Sequence, residues 1–413
     1  MEIFIMMKKS IFAVAVASVL TLGAAQAETV LYGSIRYDYQ SKKVEDYKEK
    51  DNQHGIDEIE NKIKKFTGKR VSNLADAGSR IGLKGSEDLG NNNAVIYQLE
   101  WGFDGMVQDE KNSKWTTRKA ILGLTGDWGT FTAGRQDNPF KVTIVDDSVT
   151  DGFNGKDTIT SAAQRAMTTT LTGLNAAKIL DASNEEEALN IYADTLNDAG
   201  LSRVGKVIAY TTPDFAGFQA NAAIMMDDSY YLKGKNDDKN IDLWTINARY
   251  AYDLGANGQI LAKAGYIQGK VAGDNNKSKA WGLFLGYSQD AFAVTASYAD
   301  GNHKTATEQN DRGVWVGNGP KQKSKGWDVG ASFSFGPNYF STIRAAYGEN
   351  QVKIDGVEGK DKVKSWAVGF EQKLSTRTRA WVEYGANETK FRPILDSDKK
   401  KDNVVSIGMR HDF

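Results

Sequence analysis

The last eleven residues, NVVSIGMRHDF, alternate: Val405, Ile407, Met409 and His411 lead to Phe413 on one side, with Ser406, Gly408, Arg410 and Asp412 between them. A period of two is the signature of a β-strand that shows one face to an apolar phase and the other to water. A strand running to the last residue is expected to be tied into a sheet by pairing, because a free terminus frays in solvent. The rest of the chain must supply that partner.

The same alternation recurs along the chain. VLYGSIRYDYQ places Leu31, Gly33, Ile35, Tyr37 and Tyr39 on one face and Tyr32, Ser34, Arg36 and Asp38 on the other. IDLWTINARYAYDLG separates Trp244, Ile246, Ala248, Tyr250 and Tyr252 from Thr245, Asn247 and Arg249. KAWGLFLGYSQ, FAVTASYAD and GWDVGASFSFG repeat the pattern, with aromatic residues gathered toward the strand ends. That is where the interfacial girdles of a membrane barrel belong.

The N-terminus gives an address. Lys8 and Lys9 precede an apolar run from Ile11 to Leu22, and Ala25-Gln26-Ala27 then supplies small residues around a cleavage point. This layout predicts a secretory signal peptide over residues 1–27 and a mature chain from Glu28, with export across the inner membrane. The chain has no cysteine, which excludes a disulfide scaffold and thiolate metal sites. Of 52 basic and 53 acidic side chains, loss of Lys8, Lys9 and Glu2 with the leader leaves 50 and 52. Such a balance argues against nucleic acid as a partner. Past the leader no apolar run is long enough for a transmembrane helix, so a membrane protein of this sequence must cross with strands.

Short links at Gln289-Asp290, Pro337-Asn338 and Thr376-Arg377 alternate with long polar ones such as Gly301 to Lys325. Tight turns at one end and long loops at the other predict an all-β fold, a transmembrane antiparallel up-and-down β-barrel over residues 28–413. About sixteen strands are expected, beginning near 30, 79, 94, 116, 130, 204, 217, 241, 258, 280, 291, 326, 339, 363, 379 and 403. An even count lets the strand ending at Phe413 seal against the strand holding Leu31.

Several runs carry a family resemblance: ETVLYGSIRYDYQ, AGSRIGLKGSEDLGNNNAVIYQLEW from Ala77, TTRKAILGLTGDWGTFTAGRQDNPF from Thr116, RVGKVIAYTTPDFAGFQA from Arg203, and the terminal GMRHDF. Together they resemble the general diffusion porins of Gram-negative bacteria, of the neisserial and related proteobacterial type. The resemblance implies a barrel assembled as a homotrimer in the outer membrane, among lipid and lipopolysaccharide, with no cofactor. It implies a third loop, over 137–202, folded into the lumen as a constriction, and passive passage of ions and small hydrophilic solutes. It also implies that Phe413 is read by the barrel assembly machinery.

In this family basic side chains on the wall face carboxylates on the third loop, and the field between them sorts solutes. By motif, GSRIGLKG places Arg80 and TTRKAILGL places Arg118 on the basic wall. Arg36 is a further candidate, one step of two beyond the family's basic position, which here is Ser34. The sixth strand, where an arginine is often found, reads Ala209 and Thr211. Asp146, Asp147 and Asp151 are the acidic candidates of the third loop, before the DGFNG tip. Lys263, Arg249 and Arg344 fall on polar faces by alternation alone, and Trp381 is an inward-facing exception.

The loop between Pro139 and Arg203 is longer than a constriction requires, and SNEEEALNIYADTLNDAG within it reads as a helix, with Ser183 as cap and Gly200 past its end. The first loop is long and charge-rich, as a solvated surface segment is. An enzyme is not expected: of three histidines, His54 and His303 are placed in loops and His411 on the lipid face, with no Ser-His arrangement and no metal-ligand spacing. The rival readings are a substrate-specific channel, which would line its lumen with aromatics, and a structural or adhesin barrel, supported only by long loops.

Overall fold

The computed structural model describes residues 29–45, 70–107, 115–172, 196–197, 199–226, 241, 243–270, 277–304, 308–309, 315–316, 319–392 and 399–413. The expected leader lies outside the described residues, as do most of the first loop, His54 and most of the segment 183–200.

Sixteen antiparallel strands close into one barrel. They are β1 (Val30–Glu45), β2 (Arg70–Asp76 continued by Arg80–Gly90), β3 (Asn93–Gly102), β4 (Thr116–Gly126), β5 (Gly129–Asp137), β6 (Arg203–Thr211), β7 (Phe218–Met225) and β8 (Leu243–Asp253). The second half comprises β9 (Gln259–Lys270), β10 (Lys277–Gln289), β11 (Phe292–Lys304), β12 (Lys321–Phe335), β13 (Ser341–Ile354), β14 (Asp361–Lys373), β15 (Thr378–Lys390) and β16 (Lys399–Asp412). Each strand pairs with its chain neighbours, and β1 pairs with β16 from Ser34↔Asp412 to Glu45↔Lys401. The chain end is therefore a ladder position: Gly33 N donates to Phe413 O at 3.0 Å, and Phe413 N donates to Gly33 O at 3.1 Å.

Alternation becomes two surfaces. In β10, Trp281, Leu283 and Leu285 are exposed while Ala280, Gly282 and Phe284 are buried. Outward aromatics pair across strands as Trp244–Tyr266, Trp281–Tyr298, Trp327–Tyr347 and Trp366–Tyr384, with ring centroids 5.2 to 5.5 Å apart. One Trp or Tyr per strand from β8 to β15 thus forms a continuous band, the arrangement that anchors a barrel at a membrane interface. Among the described residues no helix is long and apolar enough to cross a membrane.

The connections at one end are tight. Asn91 and Asn92, with φ of 52° and 59°, form the two-residue turn between β2 and β3 that suits the twist of a hairpin. At the other end lie the long loops, and the third, between β5 and β6, turns inward. It carries α1 (Pro139–Ile144), capped by the Asn138 side chain, and α2 (Ala162–Thr172). α1 packs against β7 to β11 and α2 against β10 to β14. Phe140, Ile144, Ala163, Ala166, Met167 and Leu171 join wall residues such as Val204, Met225 and Ile267 in a dry core inside the barrel.

The seal makes a prediction. A Cβ on Gly33 would lie 2.5 Å from the Phe413 ring and 2.7 Å from the Arg80 carbonyl. Gly33→Leu, or deletion of Phe413, is expected to weaken the β1–β16 seam by roughly 1–3 kcal/mol. A lowered temperature for loss of the compact species on unheated electrophoresis is the readout; an unchanged temperature in both variants would refute the role of this contact.

Candidate functional site

The expected basic residues come together on the inner wall of β1, β2 and β4. Three irregularities aim them. β2 is interrupted at Ala77–Ser79, where Asp76 Oδ1 accepts from Gly78 N at 2.7 Å and Ser79 N at 2.8 Å, and Ser79 Oγ accepts from Arg36 N at 3.0 Å. Between β3 and β4 the register shifts from Glu100↔Lys119 to Trp101↔Thr117, leaving Arg118 as the extra residue. Between β5 and β6 it shifts around Arg135, after Gly134 at φ 120°. Bulges re-aim side chains at the cost of ladder bonds, and here they cluster around one group of arginines.

Glu100 of β3 holds that group together. Its Oε1 accepts from Arg118 Nε at 2.6 Å, its Oε2 lies 3.8 Å from Arg80 Nε, and Tyr32 OH donates to Oε2 at 3.1 Å. Arg36 Nε donates to Ser34 Oγ at 3.1 Å, and the charges of Arg80, Arg410, Asp412 and Arg118 all act on it. Arg36 is directly opposite Arg410, which is directly opposite Arg379, so three guanidiniums stand in one row across β1, β16 and β15. Asp412 serves two of them, 2.5 Å from Arg410 Nε and 3.7 Å from Arg379 Nη2. Arg203, at the start of β6, feels the charges of Arg118, Asp137, Glu100 and Arg135.

The three loop aspartates do not pair with these arginines. Asp146 bonds Lys141 within the loop, and Asp151 lies 3.6 Å from the same ammonium. Burial works against the Lys141 charge, but Asp151, Asp146 and Asp137 together outweigh it and hold the ammonium well above the ordinary lysine value. Asp147 lies 2.9 Å from Lys263 Nζ, which also donates to the carbonyls of Asp146 at 2.6 Å and Val142 at 3.1 Å. Of the three, Asp151 is the most exposed.

The loop tip is held by wall carboxylates through its backbone. Asn154 N and Gly155 N each donate to Glu383 at 2.8 Å, and Lys156 N donates to Asp38 Oδ2 at 3.0 Å. Arg344 bonds the Gly152 carbonyl and lies 3.3 Å from Glu371. Trp381 faces inward as expected, donating from Nε1 to Ser406 Oγ at 2.9 Å. Arg249 is opposite Lys263 in register on the inner face.

One placement is corrected. His303 lies in β11, not in a loop, because the strand extends to Lys304; it is buried, with Nδ1 2.7 Å from Ser278 Oγ on the adjacent strand. His411 is on the outer face with Ile35, 2.9 Å from Thr378 Oγ1. Sequence reasoning missed Glu100, Arg379, Arg410, Asp412 and Arg203. Arg410 and Asp412 were readable from the terminal alternation, and Arg379 from its tight turn; Glu100 and Arg203 sit beside bulges that break the alternation.

A closed barrel with an apolar, aromatic-banded exterior, a charged interior and a loop laid across the lumen defines an outer-membrane channel. The chain belongs to the Gram-negative porin family, whose model matches residues 13–392. It is 25% identical over 419 residues to major outer membrane protein P.IB of Neisseria gonorrhoeae, covering 98% of this chain and 100% of that protein. It is 26% identical over 445 residues to P.IA of Neisseria meningitidis serogroup C, with the same coverage. Among solved structures, the anion-selective porin from Comamonas acidovorans superposes with a TM-score of 0.61 at 19% identity, over 94% of this chain and 100% of that one. The trimer form of OmpT from Vibrio cholerae gives 0.57 at 14%, over 94% and 100%. The protein is thus an outer-membrane porin, a water-filled channel for ions and small hydrophilic solutes.

Glu100 offers a test of the local field. Glu100→Gln removes the carboxylate that Arg80 and Arg118 share, and a unit charge about 4 Å away in water is worth about 1 kcal/mol, or about fivefold in local ion concentration. The reversal potential under a salt gradient is expected to move toward anions; movement toward cations would show that Glu100 does not offset these arginines.

Proposed function

We propose that the channel is a passive general diffusion pore whose narrowest section lies between the wall of Arg36, Arg80 and Arg118 and the third loop, and that it prefers anions. The observation that carries the preference is the unequal pairing of charge. Five arginines, Arg36, Arg80, Arg118, Arg379 and Arg410, share Glu100 and Asp412, with Glu371 a further 3.8 Å neighbour of Arg379. The loop aspartates are instead engaged by Lys141 and Lys263. Unpaired positive charge facing water raises the local concentration of anions. The Comamonas relative, described as anion-selective, supports the same direction.

No chemical step is assigned. Ser278 and His303 are both buried, so they offer no surface to a substrate and act as a polar pair within the wall. Trp381 is buried against Ser406 and Gly408 of the wall and gives no aromatic track for a sugar, which favours the general pore over a substrate-specific one. The protein is further proposed to be exported by its leader and to assemble as a homotrimer, as the solved OmpT trimer suggests. Light scattering of the detergent-solubilised protein at one protomer mass would overturn the trimer.

Exposed lysines beyond the Trp–Tyr band, Lys279, Lys323, Lys325, Lys353, Lys364 and Lys401, suit the phosphates of lipopolysaccharide. Loss of binding to those phosphates on Lys→Gln substitution there is the check. The exposed Phe413 ring suits recognition by the assembly machinery.

The decisive experiment is single-channel recording in a planar bilayer. Arg80→Ser with Arg118→Ser is expected to shift the reversal potential toward cations by an amount equivalent to a several-fold change in the permeability ratio. An unchanged conductance and potential would remove both residues from the constriction.

A further inference from the structure

We propose that the tight-turn end of the lumen carries a binding site for doubly charged oxyanions of the phosphate monoester class, built from Arg379, Arg410 and Arg36 across the seam of the barrel. The proposal deepens the reading of the barrel as an open, anion-preferring channel and rests on it. The site is separate from Arg80 and Arg118, which Glu100 serves.

The strand register brings the cations together. Lys373 of β14 is directly opposite Arg379 of β15, Arg379 is opposite Arg410 of β16, and Arg410 is opposite Arg36 of β1. All four take the inner face, because the alternate positions of these strands put Phe370, Val382, Met409 and Ile35 outside. Directly opposite residues on antiparallel strands have Cβ atoms about 5 Å apart, so neighbouring cations of the row start within reach of one small anion. Two carboxylates stand beside these four cations. Asp412 lies 2.5 Å from Arg410 Nε and 3.7 Å from Arg379 Nη2; Glu371, 3.8 Å from Arg379 Nη1, is also drawn to Arg344 at 3.3 Å. The excess of positive charge matches a phosphate monoester, which carries close to two negative charges at neutral pH.

The donors are open and their scaffold is fixed. Arg379 Nε is enclosed without an acceptor among the described residues, and Arg36 donates its Nε to a neutral group, Ser34 Oγ, at 3.1 Å. The side chains of Arg379 and Arg410 keep 24% and 21% of their surface accessible. Leu374 N and Ser375 N close the β14–β15 turn by donating to Thr378 O at 2.8 and 3.1 Å, and the β16–β1 seam ends at the Phe413–Gly33 ladder pair. One row further in, Trp381 lies across Gly408, where a Cβ would be 2.2 Å from its ring, so a buried indole bounds the cations on the loop side. Like charges held this close repel, and a bridging dianion replaces the repulsion with charge-assisted hydrogen bonds. Guanidinium forks meet phosphate oxygens two at a time, which an ammonium cannot do. Tight turns face the periplasm in barrels of this class, so an entering solute meets this row last.

The test uses the full chain in a planar bilayer, in potassium chloride at mildly alkaline pH, titrated with methyl phosphate, a dianion, or dimethyl phosphate, a monoanion of similar shape. In the parent, methyl phosphate is expected to lower the chloride conductance along a saturating curve, and dimethyl phosphate to show no saturation over the same range. Arg379→Gln with Arg410→Gln is expected to raise the half-saturating concentration about tenfold or more, the worth of a lost charge-assisted hydrogen bond. Arg379→Lys with Arg410→Lys keeps both charges and removes the forks, and is expected to raise it several-fold. A parent that responds alike to the two phosphates, or a half-saturating concentration unmoved in either folded double variant, overturns the site. A parent that prefers cations in potassium chloride alone would instead overturn the anion-preferring reading, and one that fails to conduct would overturn the channel reading itself.

Discussion

Everything in this molecule depends on the seam between β1 and β16. Inside lipid each unpaired backbone amide or carbonyl costs several kcal/mol, and only a ring leaves no edge. Closing the ring fixes register, because a one-residue slip turns every side chain of a strand to the opposite face. Here such a slip would carry Asp328 or Glu383 from the lumen into hydrocarbon. The terminal Phe413–Gly33 pair is where that constraint reaches the last residue, with the ring lying over a glycine too small to displace it.

A closed wall creates a second problem, which is what to do with the interior. The solution is a loop whose backbone is satisfied by wall carboxylates and whose apolar side chains sit against wall glycines. Phe140 approaches Gly265 and Ile144 approaches Gly282, while Glu383 and Asp328 accept from loop amides. Each carboxylate would be costly if buried alone; each is stable because it takes two or three donors. The abundance of glycine in the chain thus reflects close approach as well as turns.

This division explains what was legible. The strands, their even number and the outward aromatics follow from alternation, and the expected starts near 116, 291 and 379 fall within one residue of Thr116, Phe292 and Thr378. The start near 403 was late by four residues, because β16 begins in the lysine run at Lys399 that carries little alternation. His303 was misplaced because the last residues of β11, Asp300 to Lys304, carry no apolar alternation although their ladder with β12 runs on to Lys304↔Lys321. Arg80 and Arg118 were located by family motif and Arg36 by its place on the polar face of the first strand, and the three are brought together in space. Glu100 escaped notice because a carboxylate in a strand is ambiguous until the bulge beside it shows which face it takes. Alternation in GWDVGASFSFG shows only that Asp328 takes the polar face; the amide it caps, Ala162 N, lies 166 residues earlier in the chain.

Exposure sorts the charged groups of the lumen into two kinds. Lys263, Glu371 and Glu383 have side chains at most 5% exposed, and each is matched by carbonyls, amides or an opposite charge, as buried ions must be. Arg80, Arg379 and Arg410 keep 21 to 27% of their side chains in contact with water, and like charges stand directly opposite one another. Such a row is unfavourable across a ladder in proportion to how poorly it is screened. Its partial exposure allows screening by solvent, and Asp412 between Arg379 and Arg410 offsets part of the repulsion. The enclosed charges hold the loop in place, and the more exposed ones crowd three guanidiniums around the single carboxylate of Asp412.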